Sequence, residues 1–225
     1  MHIGLIGGIG PEATVSYYQR LTAAMRSLDA RLELTIVQAD VNDLLRNNAA
    51  DDRSAQAKVY AELIDRLKDA GADCAAITSL GGHFCYSETE ALASLPLVSA
   101  VKPLDAYFQA QGYATVGLLG TPVVMRTRLY GQLEQTKALI PDDFEHVGLS
   151  YQDMAVAGSC TEDQRTLFLS EGAKLIEQGA QAIILAGTDL NLAFDGRDVG
   201  YPVIDALDVH VAELAGLASG NISLA

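Results

Sequence analysis

The chain has no tryptophan, six prolines and three cysteines in 225 residues. Aromatic residues are 6% of it, and 15 Lys and Arg stand against 29 Asp and Glu, a formal net charge of -14. The scarcity of cations argues against nucleic acid as a partner, because phosphate recognition needs clustered Lys and Arg and none cluster here. An anionic membrane surface is disfavoured on the same ground. Long apolar runs are also missing. Stretches such as Val116–Leu119 and Ala182–Ala186 have strand length, far short of the roughly 20 residues that cross a bilayer. Met1-His2-Ile3-Gly4 opens a strand at once, so no signal peptide is expected.

Cys74, Cys85 and Cys160 include no CxxC pair. An odd, sparse set points to free thiols in a reducing cytoplasm. His2, His83, His146 and His210 are scattered with no i, i+4 pair, so no structural zinc and no other metal is expected. Cys74 lies near the start of its predicted strand and reads as a small buried hydrophobe. Core or surface is the expected place of Cys85, and Cys160 falls in a loop.

Short apolar runs alternate with helical patterns along the whole length. Strands are predicted at Ile3–Ile6, Leu32–Gln38, Cys74–Thr78, Pro96–Ala100, Thr115–Leu119, His146–Leu149, Ala182–Ala186 and Pro202–Ile204. Several are apolar on both faces, as strands covered by helices on both sides must be. Helix starts are readable between them. Thr121-Pro122 reads as an N-cap with Pro at the first helical position. Ser87 to Glu90 and Thr161 to Gln164 fit the capping box, and Ser54 reads as a further cap. This order implies an α/β fold with mostly parallel sheets flanked by helices.

The chain also repeats itself. Ile3-Gly-Leu-Ile-Gly-Gly8 is similar to Val116-Gly-Leu-Leu-Gly-Thr121. Gly71–Ser79 is similar to Gly179–Gly187, and Pro96-Leu-Val to Pro202-Val-Ile. These similarities predict two pseudosymmetric lobes, residues 1–100 and 101–210, with a cleft between them and a last helix at 207–219 able to pack back on the first.

In open parallel sheets ligands bind outside the carboxyl ends of the strands. That rule selects Gly7–Thr14, Ser79–His83, Gly120–Pro122 and Ala186–Asp189. Gly8 and Gly10 lie in a loop that follows a strand and opens a helix, where close backbone and helix amides favour an anion. Pro11 and the spacing break the dinucleotide fingerprint, so the expected anion is a carboxylate or a small phosphate, with a tight strand-to-helix turn that binds nothing as the alternative. His83 can serve as a base near neutral pH or hydrogen-bond its loop. Asp189 is a base or a helix cap, and Thr121 an N-cap that can also touch ligand. Arg46 and Arg53 are candidates for a substrate carboxylate; Arg126 and Arg128 can face a cleft or solvent.

Gly7-Gly-Ile-Gly-Pro-Glu-Ala-Thr14 resembles the N-terminal signature of the aspartate/glutamate racemase family. Gly117-Leu-Leu-Gly-Thr-Pro122 with Tyr130, His83-Phe84, Leu95-Pro96-Leu97 and Gly179-Ala with Thr188-Asp189 resemble later motifs of the same family. The resemblance implies two pseudosymmetric α/β lobes, cofactor-independent racemisation of small acidic amino acids, and a homodimer. It implies one catalytic thiol in each lobe, and an arginine for the substrate carboxylate in the segment that holds Arg46 and Arg53.

Against that pattern the chain departs at both thiol positions. Ser79-Leu80-Gly81-Gly82-His83 aligns with the first catalytic motif and Ala186-Gly187-Thr188-Asp189 with the second. Ser79 and Gly187 therefore stand where the family places cysteine. A serine hydroxyl needs an adjacent base, and glycine has no side chain. The expected catalytic set is Ser79, His83, Thr188 and Asp189. The expected binding set is Gly8, Gly10, Arg46, Arg53, Gly81, Thr121 and Gly187. The alternatives are a one-base decarboxylase or lyase, a carboxylate binder without catalysis, and a purely structural subunit.

Overall fold

The computed structural model describes residues 1–8 and 11–224. Its first elements are β1 (His2–Gly7), α1 (Pro11–Ser27), β2 (Glu33–Gln38), α2 (Val41–Ala49), α3 (Arg53–Asp69), β3 (Cys74–Ile77), a 3-10 turn (Gly81–Cys85), α4 (Tyr86–Leu92), β4 (Leu97–Val98) and α5 (Lys102–Ala110). The same order then recurs. It runs β5 (Thr115–Gly120), α6 (Pro122–Arg126), β6 (Lys137–Leu139), α7 (Phe144–Ala157), α8 (Glu162–Glu177), β7 (Ala182–Ala186), a 3-10 turn (Thr188–Leu190), α9 (Asn191–Phe194), β8 (Val203–Asp205) and α10 (Ala206–Ser219).

Each set of strands forms its own parallel four-stranded sheet, in the orders β2-β1-β3-β4 and β6-β5-β7-β8. The fold is thus α/β with helix-flanked parallel sheets. The registers match as well as the orders. Gly4 pairs with Thr35 and Ala75, and Ala75 with Leu97; Gly117 pairs with Leu139 and Ile183, and Ile183 with Val203. The chain divides into two compact units. One holds Met1–Ala100 and the segment from His210 onward, so that most of α10 groups with it; the other holds Val101–Val209.

Burial explains the unbroken apolar runs. Ile3, Leu5 and Ile6 of β1, Val116, Leu118 and Leu119 of β5, and Ile183 and Ile184 of β7 are all fully buried. Strands with helices on both faces have no solvent side on which to alternate. In each first strand a glycine lets a helix come close. A Cβ at Gly4 would lie 2.9 Å from Leu67 Cδ1 of α3, and one at Gly117 would lie 2.7 Å from Ile183 Cδ1 and 3.0 Å from Leu175 of α8.

Helix starts follow cap chemistry. Thr161 and Gln164 form the capping box of α8: the Thr161 hydroxyl accepts from the Gln164 amide at 3.2 Å, and the Gln164 side chain accepts from the Thr161 amide at 2.9 Å. Thr121 caps α6, accepting from Val124 N at 3.3 Å, with Pro122 next. Two cap expectations fail. Asp52, not Ser54, caps α3, accepting from Ala55 N at 3.0 Å. Ser87 caps nothing, because the 3-10 turn runs directly into α4 and leaves no free start; Glu90 instead accepts from the Tyr86 hydroxyl at 3.2 Å.

The strand expected at His146–Leu149 is also absent, since those residues belong to α7. Asp143 caps this helix, accepting from His146 N at 3.3 Å, and Gly158 ends it with φ 63. Val147, Tyr151, Met154 and Ala155 are its buried side. That spacing is helical, and the four-residue run read as a strand is a fragment of it. The strand that neighbours β5 is Lys137–Leu139 instead. Among the described residues, no helix is long and apolar enough to cross a membrane.

Gly117→Ala is expected to lower stability by about 1–3 kcal/mol, because a fully packed core must move to admit the methyl. Urea unfolding of the variant beside wild type checks this; an unchanged midpoint would show that Leu175 and Ile183 yield freely.

Candidate active site

β1 and β3 are neighbours, so the loops that leave their carboxyl ends emerge side by side. A Cβ built on Gly8 would lie 3.2 Å from Ser79 Cβ, so glycine is what permits the approach. The Gly8 carbonyl accepts from Gln38 Nε2 at 3.3 Å. Beneath this loop the Thr78 hydroxyl donates to the Ile6 carbonyl at 3.0 Å, which leaves the Thr14 hydroxyl to donate to Thr78 at 3.2 Å. Gly10 lies outside the described residues.

Ser79 is half-buried, and its Oγ accepts from the Gly82 amide at 3.3 Å. Its own proton stays available to a ligand. His83 does not activate it. The imidazole is 1% exposed, and its Nδ1 meets the Ser79 carbonyl at 2.8 Å rather than the hydroxyl. The Ala100 amide donates to Nε2 at 3.1 Å. That bond makes Nε2 the acceptor and Nδ1 the protonated nitrogen, so both ring positions are engaged. The ring stacks on Tyr86 with centroids 5.6 Å apart. Burial holds His83 in the neutral form, down at about 4. A second buried imidazole, His210, meets the Tyr17 hydroxyl through Nδ1 at 2.7 Å, and burial followed by the charge of His83 pushes it down to about 3.

Gly81 lies in the same turn, and its carbonyl accepts from Asn48 Nδ2 at 3.3 Å. The two candidate arginines are on α2 and α3, each paired with an acid close by. Arg46 meets Asp43 at 2.6 Å with its side chain largely exposed, and Arg53 meets Asp51 at 3.0 Å and Glu88 at 4.0 Å. Exposed pairs of this kind are worth ~0–1 kcal/mol, so a ligand carboxylate competes for either arginine at little cost. Burial works against a thiolate at each cysteine. Burial pushes Cys74 and Cys85 up to about 11, and Cys160 is raised as well.

In the other unit, β5 and β7 stand side by side in the same way. Gly120 pairs with Ala186, and a Cβ on it would lie 2.7 Å from the Ala186 carbonyl. Thr121, 4% exposed, caps α6 from this strand end. Thr188 and Asp189 are buried in the 3-10 turn after β7, and the Leu190 amide donates back to the Gly187 carbonyl at 3.0 Å. Asp189, only 2% exposed, accepts from the Tyr151 hydroxyl at 3.2 Å. Gly187 is tightly covered: a Cβ there would lie 2.4 Å from Tyr151 Cζ and 2.5 Å from its hydroxyl.

Thus Gly8, Ser79, Gly81 and His83 come together at one strand end, and Thr121, Gly187, Thr188 and Asp189 at the other. Arg46 and Arg53 lie on α2 and α3, held by Asp43 and by Asp51 and Glu88. Tyr151 escaped sequence reasoning altogether: it lies two residues past the expected strand His146–Leu149, on what is α7. The glycine at 187 is its one trace.

The model of the Asp/Glu/hydantoin racemase family matches residues 6–214. The chain belongs to that family. It is similar to a candidate Asp/Glu racemase from Yersinia pestis, at 26% identity over 97% of this chain and 99% of the other, with TM-score 0.79. An aspartate racemase homologue from Pyrococcus horikoshii is similar at 25% identity over the same shares, also with TM-score 0.79. Arylmalonate decarboxylase shares the fold at 13% identity, covering 97% of this chain and 92% of that one, with TM-score 0.54.

Two predictions follow from packing and burial. Gly187→Ala is expected to cost about 1–3 kcal/mol through overpacking against Tyr151, and Tyr151→Ala in the same chain should relieve most of that increment. A double-mutant cycle by thermal unfolding reads the coupling. His83 and His210 have folded values below the ordinary 6.5, so the unfolded chain binds more protons between that value and about 4. Their contribution is therefore complete above pH 6.5 and lost as pH falls, by about 2 kcal/mol per histidine at pH 5. His210→Gln should flatten the slope of unfolding free energy between pH 7 and pH 5; an unaltered slope would place the loss on other groups.

Proposed function

We propose that the chain is an isomerase of its family, acting at the carbon alpha to the carboxylate of a small acid with groups other than paired thiols. The observation that carries this reading is Asp189, a carboxylate 2% exposed at the carboxyl end of a central parallel strand, on a chain that the family model matches over residues 6–214. Such a strand end is where ligands of parallel sheets bind, and a buried carboxylate is a ready base for a weakly acidic C–H.

Roles are assigned by chemistry. Asp189 handles the Cα proton, and the Thr188 hydroxyl donates to the substrate. Ser79, whose Oγ already accepts from Gly82, donates its own proton to a carboxylate or to the developing enediolate. His83, with both nitrogens engaged, holds the Ser79 loop in shape while neutral. Gly8, Gly81, Thr121 and Gly187 present backbone to the ligand, and Arg46 or Arg53 exchanges its surface acid for the ligand's carboxylate. No cofactor is required for these steps.

A second reading is one-base decarboxylation, supported by the likeness of fold to arylmalonate decarboxylase. In that reaction the C–C bond breaks, carbon dioxide leaves, and a single donor protonates the enediolate.

Incubation with L- and D-aspartate and glutamate in deuterium oxide, followed by proton NMR, is expected to show loss of the Cα–H signal with one of these acids. Phenylmalonate in parallel reports the second reading through release of carbon dioxide. If the acids raise the melting temperature while neither exchange nor decarboxylation occurs, the protein is a carboxylate binder and the enzymatic reading falls.

A further inference from the structure

Tyr151 is 6% exposed on α7, and three features tie it to the end of β7. Its hydroxyl donates to Asp189 Oδ2 at 3.2 Å. The same oxygen lies 2.5 Å from where a Cβ at 187 would stand, so the phenol occupies the space a side chain there would take. One turn earlier on α7, a Cβ at Gly148 would lie 2.6 Å from Pro122, so the helix is pressed onto the start of α6. The helix is therefore fixed close by and the phenol lies against the strand end, and the glycine at 187 is the condition for its being there.

Resting on the reading of Asp189 as the proton-handling group, we propose that Tyr151 is a catalytic residue of the same reaction: its hydroxyl oxygen takes the Cα proton of the bound acid while its own proton passes to Asp189. The Cα–H bond breaks and a new O–H bond forms on Tyr151. The original O–H bond breaks and one forms on Asp189 Oδ2. The electron pair of the C–H bond remains on the substrate as an enediolate, so one negative charge moves from Asp189 to the substrate. Run in reverse, the relay returns a proton to the same face of Cα and so exchanges it; a proton delivered to the opposite face completes the isomerisation. At no point does a phenolate stand beside a carboxylate. That fits a phenol whose burial, and then the charge of Asp189, push it well above its ordinary value. The direction of the hydrogen bond already has the phenol donating to the carboxylate.

Tyr151→Phe keeps the ring over Gly187 and removes only the oxygen. Exchange of the Cα proton of aspartate and glutamate is measured in deuterium oxide, with melting curves with and without each acid. The variant is expected to lose at least ~100-fold in kcat with KM little changed and the ligand-induced rise in melting temperature retained. Asp189→Asn should lose a similar factor, and the double variant no more than the larger single loss, since the two act as one relay. A folded Tyr151→Phe exchanging within about threefold of wild type overturns the role of Tyr151 and leaves the isomerase reading standing. A wild type that exchanges neither acid overturns both. Should Tyr151→Phe fail to fold, Asp189→Asn decides: undiminished exchange overturns the relay.

Discussion

Every strand pair in both sheets is parallel, and from this constraint the placement of the chemistry follows. A parallel strand can be followed by another only after the chain has crossed back, here through helices. All carboxyl ends of one sheet therefore open on one edge, and loops distant in sequence meet there. Gly8 reaches Ser79 because β1 neighbours β3, and Gly120 reaches Ala186 because β5 neighbours β7. Close-packed glycines on the first strands let the flanking helices lie near, and the edge stays ordered.

On this repeated scaffold the two strand ends carry different chemistry. One is built of hydroxyls and amides: Thr14, Thr78, Ser79 and the turn that follows, shaped by a neutral imidazole whose two nitrogens bind backbone. The other holds a buried carboxylate with a phenol on it. Hydroxyls and amides suit the stabilisation of negative charge, and a carboxylate suits the taking of a proton. The buried histidines do different work: kept neutral by burial, they hold loop and strand at near-neutral pH and become a liability as acid is added.

Much of the architecture was legible because it is written in local patterns. Apolar runs such as Ala182–Ala186 match strands residue for residue, and the Thr161–Gln164 capping box and the Thr121-Pro122 start stand as read. Where reading failed, a longer-range pattern or a neighbour outweighed the local one. His146–Leu149 is apolar enough for a strand, but Asp143 and Gly158 bracket a helix whose buried side runs on to Ala155. Ser54 and Ser87 have the chemistry of caps, yet Asp52 comes first at one start and a continuous turn removes the other. Lys137–Leu139 is too short to announce itself and forms a strand through its pairing with β5.

The sequence by itself determined the alternation of strand and helix, the internal repeat and, through its motifs, the family. Alternation and repeat rest on period and order, which neighbours in the chain carry. The tertiary structure alone decided that His83 has no spare nitrogen, that Arg46 and Arg53 pair with acids at the surface, and that Tyr151 covers Gly187 and bonds Asp189. Each of these depends on contacts between segments far apart in the chain, and hydrogen-bond saturation and steric exclusion exist only once those segments are packed.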